Sequence, residues 1–521
     1  MPEAQPCRTE WAERRIPGVL IAVSVVLRLG AFLNPVPLGP EEARYLVAAH
    51  HLGLGMTYSD WRGPETHIHP LHPWLVSILG SDPDSLESRG SVVALVCSIL
   101  LLWPLGVLTL RLGGRLAAGA FLLLAGLHPW LVRASSPTQP ESLYDLMTAC
   151  GVTLLLWKCG GAVSAVRWAS AGVLFGLAYL ARPEGFLVGL LAGGIAFVGS
   201  EGKSPRALLG LAAFVLTLLL VSSPYLLFLK RVTGNWTLTG KTTELFFVGQ
   251  ASYEAGGAPV EVEAYRTLMT RWKEILPFVE ANPWNVCRRA LRSAAVIGGW
   301  VVPLALGPAG LAGLAQTAAL FVRRRELRPT LAVLLSPCLT LVLMVFTFKN
   351  QRVIASVLPF MFAGSAVGLA ALARHHFPDS ARRRTWTSVA LIMCVLLWWA
   401  PTLTRALTGH QPLFPDRRIV ALALQTAGAA ERVASNNPAL SFMARDPSMF
   451  GPAGLYRPLP WTRTCAELAA ELAKRRATVA ILDGSQADSV PQADTGECPL
   501  RLVTTIDDPV EDRRISVFAR E

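Results

Sequence analysis

The stretch Ala207-Leu-Leu-Gly-Leu-Ala-Ala-Phe-Val-Leu-Thr-Leu-Leu-Leu-Val-Ser-Ser-Pro-Tyr-Leu-Leu-Phe-Leu229 lies between Arg206 and Lys230 and contains no charged side chain. At 1.5 Å per residue it exceeds the roughly 20 residues that cross about 30 Å of hydrocarbon. Outward from it lie further apolar runs at 16–34, 90–110, 116–132, 142–158, 167–181, 184–199, 293–321, 330–348, 353–373 and 387–407. The two that flank Arg182 are short, as expected of helices tilted or half-buried in a bundle. The expectation is an α-helical polytopic membrane protein with about eleven transmembrane helices. Composition agrees: of 521 residues, 52% are hydrophobic and only 16% charged, against about 25% charged in soluble domains. Mean hydropathy is +0.42.

The net charge of +12 admits nucleic acid or a membrane surface as partner. The basic residues fall in short loops, and no basic patch is interleaved with aromatics, so the lipid bilayer is the expected partner and nucleic acid is not. Arg14 and Arg15 precede the first run. Alternate connections then hold Arg111 and Arg115; Lys158 and Arg167; Lys203 and Arg206; Arg323, Arg324, Arg325 and Arg328; and Arg374, Arg382, Arg383 and Arg384. Every second loop is basic, which places those loops and the N-terminus in the cytoplasm of a plasma (inner) membrane protein. Arg28 interrupts the first run and no small-residue cleavage site follows it, so a retained anchor is expected rather than a cleaved signal peptide.

The outward segments are then 35–89, 133–141, the corner at Arg182, 230–292, 349–352 and everything after about 408. The expected division is a membrane domain over 1–407 and a small extracytoplasmic α/β domain over 408–521. In the latter, Cys465 to Arg476 reads as a helix with Leu468 and Leu472 on one face. Thr478 to Leu482 reads as a buried strand, and Leu500 to Thr505 and Arg514 to Ala519 as two more. Most of the nine cysteines fall in apolar runs as small packing residues. Cys465 and Cys498 lie in the outer segment, where an oxidising compartment permits a disulfide.

The first outer loop carries the densest chemistry. It reads Pro40-Glu41-Glu42-Ala-Arg-Tyr45, then a helical stretch, then Pro64-Glu-Thr-His67-Ile-His69-Pro70-Leu-His72-Pro73-Trp74. Adjacent carboxylates after a proline can simply open a helix, whose positive end favours them. The three histidines are spaced too irregularly to specify a metal site. Further along come Ser135-Ser-Pro-Thr-Gln-Pro140-Glu141-Ser-Leu-Tyr144, Tyr179-Leu-Ala-Arg182-Pro183-Glu184-Gly185 and Phe348-Lys349-Asn350-Gln351-Arg352. Glu41, Glu42, Glu141, Arg182, Lys349 and Arg352 all fall at outer ends of spans, where ionisable groups are costly unless paired or functional. Local ion pairing and snorkelling account for any one of them; their convergence on one face points to a shared site.

The layout from Arg28 to Trp74 resembles the start of the GT-C glycosyltransferases, membrane enzymes that use lipid-linked sugars, and in particular the bacterial aminoarabinose and protein-mannosyl transferase branches. Glu41-Glu42-Ala43-Arg44-Tyr45 is similar to that family's Asp-Glu-x-x-Tyr motif, with Glu in place of the usual Asp. The three later stretches resemble family features in order and sidedness. The resemblance implies transfer of a sugar from a polyprenyl-phosphate donor to a hydroxyl of a lipid, glycan or protein acceptor on the extracytoplasmic face, with inversion. Glu41 is the first choice of general base and Glu42 the second. Arg182, Lys349 and Arg352 are expected to hold the phosphate, and Tyr45, His69, His72 and Glu141 to line the substrate site. A divalent cation, Mg²⁺ or Mn²⁺, is compatible with Glu41, Glu42, Glu141 and the loop histidines but is not required by a monophosphate donor. A transporter or lipid flippase would show internal repeats and mid-membrane charge, neither of which is evident; a non-catalytic envelope assembly protein is the other alternative.

Overall fold

The computed structural model describes residues 7–34, 38–60, 63–157, 165–200, 204–241, 246–247, 250, 275–345, 351–377, 390, 394–395, 397–404, 407, 415–427, 432–446, 450, 459, 464–483, 500–508 and 513–520. After α1 (Cys7–Leu33), the first connection holds α2 (Pro40–Gly53), a hairpin of β1 (Ser59–Asp60) and β2 (Gly63–Pro64), and α3 (Leu71–Ile78). The bundle continues with α4 (Leu86–Leu100), α5 (Leu102–Leu127), α6 (Pro129–Arg133), α7 (Glu141–Leu156), α8 (Ala165–Ala181), α9 (Glu184–Val198) and α10 (Pro205–Thr233). Then come α11 (Ile275–Ala281), α12 (Pro283–Val296), α13 (Val302–Arg323), α14 (Arg328–Leu335), α15 (Leu339–Val345), α16 (Gln351–Ala355) and α17 (Leu358–His376).

Among the described residues, five helical stretches are long and apolar enough to cross a membrane: Leu86–Leu127, Pro205–Thr233, Val302–Arg323, Arg325–Val345 and Arg352–His376. Shorter apolar helices cover Pro17–Leu33, Ala165–Ala181 and Glu184–Val198. The chain is a multi-pass helical membrane protein. Leu86–Leu127 is not one rod. Gly114 has φ 72° and ψ −171°, a conformation that only glycine adopts freely. A methyl built on Gly106 would lie 3.9 Å from Leu122 Cδ2, whereas residues 106 and 122 of a straight helix would be about 24 Å apart. The chain therefore doubles back at Gly114, which separates the runs at 90–110 and 116–132. The run 293–321, expected as one uninterrupted span, is broken at Gly307 (φ 65°) followed by Pro308. Within the 387–407 run, residues 390, 394–395, 397–404 and 407 are described, and all are helical.

Burial sorts the helices. Only 22% of the apolar window of α10 is buried, against 89% for the stretch that contains α17. The first therefore faces lipid and the second forms the centre of the bundle. Small residues let α13 and α17 approach closely: Gly313 lies against the carbonyl of Ser365, Thr317 Oγ1 donates to Gly364 O at 2.7 Å, and Ser365 Oγ donates to Gly310 O at 2.8 Å. Arg28, buried in α1, donates to the carbonyls of Ala125 and Gly126 at 3.2 and 3.0 Å. It thereby places a cation at the negative end of the helix that finishes at Leu127.

The C-terminal part contains α18 (Pro415–Ala427), β3 (Arg432–Ser435), α19 (Pro438–Met443), α20 (Cys465–Arg475), β4 (Ala477–Asp483), β5 (Leu500–Asp508) and β6 (Arg513–Arg520). The sheet order is β3-β4-β6-β5, with β3 and β4 parallel and the other pairs antiparallel. Alternation along β4 buries Ala480 and Leu482 with Leu468 and Leu472 of α20, and Val479 and Ile481 with Ile419 and Ala423 of α18. Cys465 is disulfide-bonded; Cys498 lies outside the described residues.

Candidate active site

The acidic pair sits in the first turn of α2. Gly39 precedes the helix in extended conformation (φ −90°, ψ 169°), and Pro40 occupies the first helical position, where its missing N–H leaves nothing unpaired. Arg44, one turn on, fastens this helix to the rest of the loop. Its Nε donates to Asp60 Oδ2 at 2.8 Å and its Nη2 to Glu65 Oε2 at 2.7 Å, all three side chains being buried. The other oxygen of Glu65 accepts the backbone N–H groups of His67 (2.6 Å) and Ile68 (3.0 Å). Two buried ion pairs among the described residues thus tie the loop together through Arg44, and breaking buried pairs of this kind is costly.

Arg352, in α16, reaches this frame from far along the chain. Its Nη1 donates to Glu41 Oε2 at 2.9 Å and its Nη2 to Glu42 Oε1 at 2.8 Å. Lys241 donates to the second oxygen of Glu41, and the Gln139 amide donates to Glu42 Oε1. Glu42 Oε2 is buried without a partner among the described residues. The two carboxyls diverge electrostatically. Lys241 above all, aided by Arg352, holds Glu41 down to about 2 against the effect of burial. Burial dominates for Glu42 and pushes it up, despite Arg352 and the Gln139 hydrogen bond.

A second cluster adjoins the first. Arg182, between α8 and α9, donates to Glu141 Oε1 at 2.9 Å and to both oxygens of Glu184 at 3.2 and 3.3 Å. Its guanidinium lies 5.9 Å over the Tyr144 ring. Tyr45, one turn along α2 from the acidic pair, joins the clusters. Burial first, then Glu41 and Glu141, raise its hydroxyl well above the usual range, opposed by Arg182 and Arg352.

The histidines play a different part. His69 Nδ1 donates to Tyr179 O at 2.6 Å, and its ring packs edge-on against Tyr179 and Tyr225 at 5.1 and 4.8 Å. His72 packs edge-on against Tyr45 at 5.4 Å. Burial depresses both to about 3, so both are neutral at physiological pH and add no positive charge to the site. His67 Nδ1 lies 3.8 Å from Glu65. Among the described residues, no three His, Cys, Asp or Glu side chains are grouped to hold a metal ion. Glu41 and Glu42 are matched by cations instead, so the residues as arranged do not fit a divalent ion.

No family model matches the sequence, and no curated protein is similar to it. Solved structures are. ArnT from Cupriavidus metallidurans bound to undecaprenyl phosphate superimposes with a TM-score of 0.59 at 13% identity, covering 98% of each chain. Its apo state gives 0.58 at 14%, over 96% of this chain and 97% of that one. The Archaeoglobus fulgidus oligosaccharyltransferase in complex with zinc and sulfate gives 0.58 at 15%, over 90% of this chain and 68% of its own. The chain shares the fold of these two proteins. At these identities the likeness is one of fold.

Within this fold, Glu41, Glu42, Tyr45, Glu141, Arg182 and Arg352 are brought together around one centre. His69 and His72 lie beneath it, and Lys349 falls outside the described residues. Two contributors escaped the sequence reading. Gln139 stands inside a stretch already singled out, two residues before Glu141, but an amide carries no electrostatic signature. Lys241 lies in the 230–292 loop, where no motif is evident; only its side of the membrane pointed to it. The C-terminal part also reaches the site. Phe442 of α19 packs in the cluster that holds Leu38, Ala43 and Leu46. Arg445 pairs with Asp84 at 2.6 Å, and the Phe450 ring meets His50 edge-on at 5.3 Å.

Proposed function

We propose that this protein is a membrane glycosyltransferase that moves a sugar from a polyprenyl-phosphate donor to an acceptor hydroxyl at the extracytoplasmic face of the plasma membrane. The observation that carries the reading is the Arg352 bridge to both Glu41 and Glu42. It joins a base and a phosphate-binding cation from opposite ends of the chain at one centre.

With Lys241 and Arg352 bound to it, Glu41 is a poor base, because the two cations neutralise it. The incoming donor is a phosphodiester between polyprenol and sugar, and its anionic phosphate competes for both cations, Arg352 through its planar fork and Lys241 as a point charge. As they turn to the phosphate, Glu41 loses its counter-charges and its proton affinity rises toward the working pH, where a base is most effective. The acceptor O–H proton passes to the Glu41 carboxylate while the acceptor oxygen forms a bond to the anomeric carbon. The bond from that carbon to the phosphate oxygen breaks, and its electron pair stays on the phosphate. Arg352, Lys241 and Arg182 stabilise the growing charge, with Lys349 as a further candidate. No acid is needed, and displacement from the opposite face inverts the anomeric centre. Glu42 keeps Arg352 in place through Oε1, and Tyr45 with Glu141 lines the donor side. The neutral His69 and His72 support α2 and the α8–α9 corner from below. Residues 408–521, as an outer domain resting on α2 through Phe442, suit a role in acceptor presentation.

The test is incubation of the purified full chain with a panel of polyprenyl-phosphate sugars, following loss of the lipid-linked sugar. Consumption abolished by Glu41→Gln supports the reading. Turnover unaffected by Glu41→Gln, Glu42→Gln and Arg352→Gln together would leave the site without a catalytic role, as an assembly protein or transporter requires.

A further inference from the structure

α7 carries a polar face into the membrane-spanning bundle. Glu141, Tyr144, Asp145 and Thr148 stand at i, i+3, i+4 and i+7, so they align on one side of the helix. All four are buried. Glu141 Oε2, the Tyr144 hydroxyl, Asp145 Oδ1 and Thr148 Oγ1 have no hydrogen-bond partner among the described residues. Thr340 of α15 is also buried with an unpartnered hydroxyl and stands within interaction range of Tyr144. Among the described residues, the Tyr144 and Thr340 hydroxyls have only each other to turn to, and so many under-satisfied polar atoms along one stripe are far from the norm for buried groups, so they call for a ligand or for ordered water.

We propose that this stripe is the pocket for the sugar ring of the lipid-linked donor, with Asp145, Thr148 and Thr340 reading its hydroxyl groups. The inference rests on the transferase reading above and extends it to donor recognition. The chemistry selects a polyol. An anion would be repelled by Glu141 and Asp145, and an apolar tail would leave Glu141 Oε2, Asp145 Oδ1 and Thr148 Oγ1 unpaired. Sugar hydroxyls both donate and accept, so they satisfy two carboxyls and three hydroxyls together. From Glu141 to Thr148 the stripe descends about 10 Å, which suits a single sugar unit. Its upper end is Glu141, held by Arg182, so a sugar lodged below keeps its phosphate beside the cations of the active centre.

The test is binding of two probes to the full chain in detergent: bare polyprenyl phosphate, and the polyprenyl-phosphate monosaccharide that the wild type binds best among hexose and pentose forms. The variants are Asp145→Asn, Thr148→Val and Thr340→Val. The expected result is about tenfold weaker binding of the sugar-bearing lipid for each variant, with bare polyprenyl phosphate bound as by the wild type. A preference for the sugar-bearing lipid that survives in all three variants overturns the proposal. So does a wild type with no such preference, the stripe then being filled by structural water. Loss of both lipids in every variant, including the near-isosteric valine changes, overturns it in favour of a purely structural role. The transferase reading is judged separately by turnover: consumption of a lipid-linked sugar by variants with unaltered preference would refute the pocket and leave the transferase intact.

Discussion

Replacing Glu41 with Gln separates the chemical role of this carboxylate from its structural one. The amide keeps the shape of the side chain but can take no proton from the acceptor, and loss of a positioned base costs about 10²–10⁴ in turnover. The structural cost is much smaller. A fall from 4.5 to about 2 would correspond to about 3 kcal/mol for a group shut off from water. The Glu41 side chain is 33% exposed, so screening reduces this to about 1–2 kcal/mol, a few degrees in Tm at most for a chain of this size. Because the folded carboxyl is depressed, its contribution is complete above the unfolded value of 4.5 and fades as the pH falls toward 2. The stability gap between wild type and Glu41→Gln is therefore expected to be constant at neutral pH and to close in acid. The assay pairs consumption of the lipid-linked sugar at neutral pH with thermal unfolding in detergent over a pH series. Turnover within threefold of wild type, while Glu42→Gln is inactive, would refute the assignment of the base. A large loss of stability at neutral pH would refute the electrostatic account.

Other outcomes follow from the same geometry. Glu42, pushed up by burial, should show the opposite trend to Glu41: its contribution is full below the unfolded value and is lost as the pH rises, so Glu42→Gln loses stability relative to wild type in acid and recovers it toward neutral pH, which the same unfolding series reads. Arg44→Met removes the guanidinium that both buried carboxylates Asp60 and Glu65 accept from and is expected to cost about 3–5 kcal/mol, visible as a marked fall in Tm. Gly114→Ala forces a side chain into a glycine-only conformation at the helical reversal and should cost about 1–3 kcal/mol without altering the affinity for polyprenyl phosphate. Lys241→Met should weaken polyprenyl-phosphate binding, and it should move the acid limb of the pH–rate profile of the free enzyme to higher pH, because Glu41 loses its strongest counter-charge.

Much of this architecture was legible from residue order, because lipid imposes a rule that each segment must satisfy on its own. An apolar run long enough to cross hydrocarbon declares itself locally, and so does a Pro-Glu-Glu helix start at Pro40. The same holds for the short apolar run from Thr478 to Leu482, read as a buried strand and found inside Ala477–Asp483, and for Leu468 and Leu472 on one face of α20. The reversal at Gly114 fell between two runs for the same reason. Tertiary structure alone decided which charges meet. Arg352 finds Glu41 across 311 residues and Lys241 finds it across 200, and no local period encodes a pairing at that distance. The division of labour between Glu41 and Glu42 is likewise absent from two identical adjacent letters. It arises because one carboxyl turns toward two cations at the partly exposed mouth and the other is buried against Gln139. The break at Gly307, hidden inside a run of unbroken hydropathy, belongs with these: composition measures affinity for lipid, whereas a helix interruption depends on backbone dihedrals that the neighbouring Trp398 and α17 accommodate.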